Sequence, residues 1–110
     1  MSRDDAARLD DITAALDAIS RHRARGDLAD GLVFDAVRVR LIEVGEAVKG
    51  LSSEARGLAP DIPWGDVARM RDLLTHRYFD TSHAVVAHTV ERDLSTLGRA
   101  VDDVRRRLPG

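Results

Sequence analysis

HAVVAHTVERDLSTLGRAVDDVRRRL, residues 83 to 108, decides the fold class. Within it Val86, Val90, Leu94, Leu97, Val101, Val104 and Leu108 recur at steps of four and three. At about 100° per residue those steps keep the apolar side chains along one side of an α-helix. A seam of this length is what antiparallel helical bundles bury. The spacing predicts a last helix from about His83 to Arg107, preceded by a polar turn in which Asp80, Thr81 and Ser82 are the N-cap candidates. Arg105 to Arg107 then fall in the final turn, where the helix dipole favours cations.

The same period governs the chain before it. Leu9, Ile12, Leu16 and Ile19 predict a helix from about Asp4 to Arg23, acidic early and basic late, closed by Gly26. His22 reads there as a solvated C-terminal cation. After a polar connection from Asp27 to Gly31, Val33, Phe34, Val37, Leu41, Val44 and Val48 mark a second helix from about Leu32 to Lys49. Val39 and Ile42 widen its apolar arc, so the bundle suits one side and a second subunit the other. Gly45 permits close helix approach and Glu46 is placed to pair with an arginine downstream, while Arg38 and Arg40 read as solvated surface arginines. Ser52 or Ser53 caps a short turn through Arg56, the loop GLAPDIP follows, and Trp64 is expected to anchor that loop. No strand alternation, Gly-rich phosphate loop or repeat interrupts this pattern. The expected fold is therefore all-α: an up-down bundle of four to five helices in one domain, residues 1–110, that dimerises.

Composition narrows the function. The chain has 110 residues, no cysteine, and a net charge of −2 from 17 basic and 19 acidic side chains. No disulfide or thiolate metal site is possible, and His83 and His88 stand five apart rather than at the i, i+4 spacing of a helical metal clamp. Neither metal nor cofactor is expected. The N-terminal MSRDDAARLDDI lacks an apolar leader and no apolar run reaches membrane-spanning length, so the expected location is the cytoplasm. A slightly acidic chain does not bind nucleic acid by broad electrostatics, so any such binding must rest on local charge.

That local charge lies in WGDVARMRDLLTHRYF, residues 64 to 79. Val67, Met70, Leu73 and Leu74 form the expected buried stripe of a helix, with Pro63 at or just before its first turn and its end near Tyr78. Arg71, His76 and Tyr78 spell R-x-x-x-x-H-x-Y on its polar side, with Asp72 one turn before His76. Histidine exchanges protons near neutral pH, and arginine keeps a planar charged fork suited to phosphate. The pair could cleave RNA without metal, His76 deprotonating a ribose 2′-OH and Arg71 steadying the crowded phosphorus, with Asp72 fixing the imidazole tautomer. DNA lacks that 2′ nucleophile. Arg71 and His76 are five apart, roughly 140° around the axis, so one straight helix does not aim both at one target. Either the helix distorts near its end or a two-fold partner completes the site, and the dimer is the favoured reading. Arg69 and Arg77 add positive charge, but Asp66, Asp72 and Asp80 dilute it.

These residues resemble the HepT-like toxins, a branch of the HEPN superfamily. Val44-Gly45-Glu46-Ala47 is similar to the I-G-E-A segment of that family, and Ile62-Pro63-Trp64 to its I-P-W segment. Met70, Arg71, Asp72, His76, Tyr78 and Phe79 match M-R-(N/D)-x-x-x-H-x-Y-F, and Asp93-Leu94 matches a trailing D-L. The resemblance covers roughly residues 10 to 105. It implies a dimeric all-α ribonuclease toxin, with catalytic Arg71 and His76 at the shared face. It also implies a neighbouring MNT-type nucleotidyltransferase antitoxin that transfers AMP onto Tyr78. Bulk and negative charge two residues from His76 would then occupy the place of an RNA phosphate. The chain departs from the pattern at Ser82 and Ala87, where many members have Asp and Trp. The alternative is a non-catalytic helical module that binds a nucleotidyltransferase or a nucleotide.

Overall fold

The computed structural model describes residues 3–75 and 79–108, and every described regular element is helical. Helix α1 spans Arg3–Arg25, with Asp4 and Asp5 in its first turn and His22, Arg23 and Arg25 in its last. Helix α2 spans Gly31–Lys49 and starts on Asp30, whose carboxylate accepts from the Leu32 and Val33 amides at 2.9 and 3.4 Å. The short α3, Ser53–Gly57, is capped by Ser52, whose Oγ accepts from the Ala55 amide at 3.1 Å. Helix α4 spans Trp64–Thr75. Helix α5, Phe79–His88, runs through a π-turn at Thr89–Asp93 into α6, Leu94–Arg107. Side-chain oxygens thus satisfy the first amides where α2 and α3 begin, as the sequence of short polar residues there demands.

Packing follows the apolar faces. Helix α2 lies between α1 and α4 and also touches α5, and α6 closes against α1. One apolar cluster joins Leu9, Ile12, Val44, Val48, Val101 and Trp64. A second joins Ile19, Phe34, Val37, Leu41, Leu74 and Val86. Helix α2 contributes to both, so it is the strut on which the site-bearing α4 is mounted. The all-α bundle expected from the seam is the observed architecture, and among the described residues no helix is long and apolar enough to cross a membrane.

The last helical stretch differs from expectation in two ways. It begins at Phe79, so Ser82 lies inside α5 rather than capping it. Asp80, Thr81 and Ser82 belong to types favoured both at caps and in a first turn, and composition alone does not separate the two positions. The seam is also interrupted. Thr89 Oγ1 donates at 2.7 Å to the Val85 carbonyl, the group an α-helical amide at 89 would use, and the helix widens to a π-turn from there. Val86, Leu97, Val101 and Val104 are buried, whereas Val90 within the widened turn and Leu94 just after it are only half-buried.

Candidate active site on the second and fourth helices

The start of α4 is fixed by the loop before it. The Pro63 carbonyl accepts from the Asp66 and Val67 amides at 3.0 and 3.1 Å. Trp64 is buried, and its Nε1 donates to the Arg56 and Ala59 carbonyls, each at 3.0 Å. The indole therefore pins α3, the loop and α4 together, as expected of the single tryptophan, with its one donor satisfied. Met70 and Leu74 then bury against the bundle and Val67 half-buries. Leu73 breaks the expected stripe: it is 46% exposed. Leu73 and Leu74 are adjacent, about 100° apart, and only one of them can face α2.

The helix crossing sets the position of Arg71. A Cβ built on Gly45 of α2 would lie 2.6 Å from the Arg71 Cβ and 3.2 Å from the Val67 carbonyl oxygen. Only a residue without a side chain fits there, so Gly45 is what lets α4 approach until the base of Arg71 rests on α2. Next to it, Glu46 Oε2 forms an ion pair with Arg71 Nε at 2.6 Å. Asp72 Oδ1 accepts from Arg71 Nη1 at 3.1 Å and lies 4.0 Å from Lys49 Nζ. The hydrogen bond to Asp72 and then the charge of Glu46 raise the Arg71 pKa above its ordinary value, so the guanidinium stays charged throughout the accessible pH range. Glu46 and Asp72 are both more than half exposed, and Arg71 is about one-third exposed, so this is a positioned surface group rather than a buried pair.

Of the four residues singled out from the motif, Arg71 and Asp72 sit together here. His76 and Tyr78, with Arg77 between them, lie outside the described residues. The Gly45 approach and the Glu46 pairing agree with the sequence reading. Asp72, expected to orient the imidazole, has Arg71 and Lys49 as its described neighbours. Arg69 is bound to Asp66, and Arg40 to Glu43 at 2.7 Å on the open surface. Arg38 departs from its reading as a solvated arginine: it is half-buried, and its Nη2 donates to the Leu74 carbonyl. Sequence gave a weak sign of this, since Arg38 and Gly45 stand seven apart on nearly one line of α2. His83 stacks on Phe34 with ring centroids 5.0 Å apart.

On the other flank of α4 a groove of about 330 Å³ runs past Val67, Met70, Leu73, Val85 and Leu94. It is mainly apolar, and its two carboxylates, Asp66 and Asp93, stand near Arg69 and His88 respectively. Among the described residues no group of three or more His, Cys, Asp or Glu side chains gathers as a metal site. The chemistry on display is thus a fixed cation on a close helix crossing, beside the segment that carries the motif histidine.

A family profile described as "Ribonuclease HepT-like" matches residues 8–104, which include α2, α4 and every motif position. The chain belongs to the HepT-like ribonuclease family. A protein of Thermococcus cleftensis named "Probable ribonuclease HepT" is 32% identical over 110 residues, covering 96% of this chain and all of that one. A protein of Caldanaerobacter subterraneus subsp. tengcongensis named as a "Putative RNase" is 34% identical over 87 residues, covering 74% of this chain and 78% of its own. A relative from Methanocaldococcus jannaschii, also named as a "Putative RNase", is 30% identical over 110 residues, covering 96% and 95% of the two chains. No solved structure was found to match this HepT-like chain.

Proposed function

We propose that this HepT-like protein is a metal-independent endoribonuclease toxin in which Arg71 and His76 are catalytic. The observation that carries the reading is the mounting of Arg71: seated on Gly45, paired with Glu46 and Asp72, and kept charged. A guanidinium has five N–H donors, and the described contacts engage Nε and Nη1, so the fork retains donors for a phosphate. His76 accepts the proton of a ribose 2′-OH, and the 2′-oxygen attacks the adjacent phosphorus. The P–O5′ bond breaks, leaving a 2′,3′-cyclic phosphate and a 5′-hydroxyl. The departing oxygen takes a proton from a second imidazole, supplied by the two-fold partner. Arg71 stabilises the charge that collects on the non-bridging oxygens, and Asp72 serves as a supporting group.

The dimer places both copies of this pair at one cleft. Val39 is 48% exposed on α2 and stands seven residues, nearly one line, before Glu46. An exposed apolar residue on the line that leads to Arg71 is surface a second copy can cover. In this reading an MNT-type nucleotidyltransferase neutralises the toxin by transferring AMP to Tyr78, in the cytoplasm. One specific observation favours the rival reading, a non-catalytic module that binds a nucleotidyltransferase or nucleotide. Around Arg71 the two cations Arg71 and Lys49 face two carboxylates, Glu46 and Asp72, so these four described residues offer RNA no net positive charge.

Expression of the protein alone in a bacterial host, beside Arg71→Ala and His76→Ala, separates the readings. Growth arrest with RNA cleavage, lost in both variants while they remain folded and dimeric, supports the nuclease. Indistinguishable growth and intact RNA in all three rejects it. Co-expression with a neighbouring nucleotidyltransferase tests the modification: the intact mass rises by whole AMP units in the wild type and not in Tyr78→Phe. An unchanged wild-type mass, or an increase that survives Tyr78→Phe, rejects it.

A further inference from the structure

The residues that hold Arg71 bring a second cation to the same place. Lys49, the last residue of α2 and the single lysine of the chain, carries its Nζ to 4.0 Å from Asp72 Oδ1. The same oxygen accepts from Arg71 Nη1 at 3.1 Å. One carboxylate oxygen thus stands between a guanidinium and an ammonium. The helix dipole favours a lysine at such a C-terminus and accounts for the residue type. It does not account for the reach of the ammonium across to α4. At 4.0 Å the contact is an ion pair and not a hydrogen bond, so the three N–H donors of Lys49 are not spent on Asp72. The side chain is 46% exposed, which leaves those donors open to a ligand.

The placement follows from the helix crossing. Arg71 rests on Gly45 and pairs with Glu46, and Lys49 comes three to four residues later on α2, one turn further along the same side. The two cations are therefore anchored about 5 Å apart along α2. A strand of RNA presents its phosphates in a row, and a surface that tracks the row needs cations at intervals along it. Arg71 takes the scissile phosphate in the reading above, and Lys49 is the next cation in line. Glu46 is held to Arg71 Nε at 2.6 Å, so Asp72, at 3.1 and 4.0 Å from its two cations, is the looser anion. A phosphate oxygen offers a cation the same kind of acceptor as a carboxylate oxygen.

We propose that Lys49 is a second RNA-binding residue: with Arg71 it forms a two-cation grip on consecutive backbone phosphates, and Asp72 occupies that grip until RNA takes its place. The inference rests on the nuclease reading above and adds a residue outside the R-x-x-x-x-H-x-Y motif. The phosphate that Lys49 meets carries the same charge before and during the reaction. The contact therefore favours substrate and transition state alike, and its loss falls on KM. Asp72 competes with the phosphate, so removing its charge strengthens binding.

The test uses the full chain as wild type, Lys49→Met, Lys49→Arg, Asp72→Asn and Arg71→Ala, with two readouts. The first requires no cleavage: binding of a single-stranded RNA methylated on every 2′-oxygen, which has no free nucleophile, at several salt concentrations. Lys49→Met binds about 3- to 10-fold more weakly, and the slope of log affinity against log salt becomes shallower by about 0.7 for each lysine engaged. Lys49→Arg keeps the wild-type slope, and Asp72→Asn binds about 3-fold more tightly. The second readout is cleavage of unmodified RNA, where the loss in Lys49→Met lies in KM and not in kcat. Wild-type affinity and slope in Lys49→Met overturn the grip and leave Lys49 a helix-end cation, and so does a wild type that fails to bind the methylated RNA. Unchanged or weaker binding by Asp72→Asn overturns the exchange of carboxylate for phosphate. A loss carried by kcat overturns the assignment of Lys49 to a flanking phosphate. If the wild type and Arg71→Ala both leave unmodified RNA intact, the nuclease reading fails, while the salt slope of Lys49→Met still decides whether the grip exists.

Discussion

Two sides of α2 are built on different principles. Toward its C-terminal half, Val44, Ala47 and Val48 join Leu9, Ile12, Trp64 and Val101 in an apolar cluster. Trp64 has two carbonyl acceptors, and the buried Asp5 carboxylate accepts from the Ser52 amide and hydroxyl at 2.9 and 2.7 Å. Where Arg71 meets α2 the contacts are instead a glycine approach and an ion pair, with Arg38 of α2 donating to the Leu74 carbonyl of α4. The first region stores stability and tolerates little. The second contributes less stability and fixes the direction of Arg71. Stability and alignment should therefore separate under mutation.

The largest stability loss is expected from the first region. Ile12→Ala empties a fully buried site and should cost about 2–5 kcal/mol in urea unfolding, with cleavage by the surviving folded fraction unchanged. A cost under about 1 kcal/mol would break the distinction. Next comes Gly45→Ala, where the added methyl meets backbone-proximal atoms of Arg71 and Val67 that cannot swing aside. About 1–3 kcal/mol of overpacking strain is expected, together with loss of most activity because α4 is pushed off α2. Full activity in a stable Gly45→Ala protein would show that the close crossing is not needed. Asp5→Ala leaves Ser52 without its buried acceptor and should cost about 1–3 kcal/mol, with kcat untouched. The smallest change is Glu46→Gln: stability stays near wild type, as for exposed ion pairs in general, and kcat falls through a freer Arg71.

The pH dependence sharpens the same contrast. Because the Arg71 pKa is raised, the stability its charge contributes is fully present below the ordinary arginine value and is lost only in strong alkali. The stability difference between the wild type and Arg71→Gln should therefore stay flat from about pH 6 to 9. A slope across that window would mean that another titrating group controls the Arg71 pairing.

Much of this arrangement was legible in the sequence because periodicity reports burial. Leu9, Ile12 and Ile19, the face of α2, and Leu97, Val101 and Val104 are buried where their spacing put them. The spacing of Gly45 and Glu46 on α2 likewise anticipated a close crossing and a carboxylate for the motif arginine. What spacing could not carry was choice between neighbours and contact across long separations. Leu73 and Leu74 fit one stripe equally well, and only the packing of α2 exposes the first and buries the second. The π-turn begins at Thr89, whose hydroxyl donates to the Val85 carbonyl, and such a local hydrogen bond has no periodic signature. Arg38 reads as surface because its partner is a backbone carbonyl thirty-six residues away, and backbone acceptors leave no mark on a sequence.

The most direct test is end-group analysis of an RNA incubated with purified wild-type protein, Arg71→Ala and His76→Ala in chelator. The account predicts fragments ending in a 2′,3′-cyclic phosphate and a 5′-hydroxyl from the wild type alone. Intact RNA with the wild type, or equal cleavage by either variant, would contradict it.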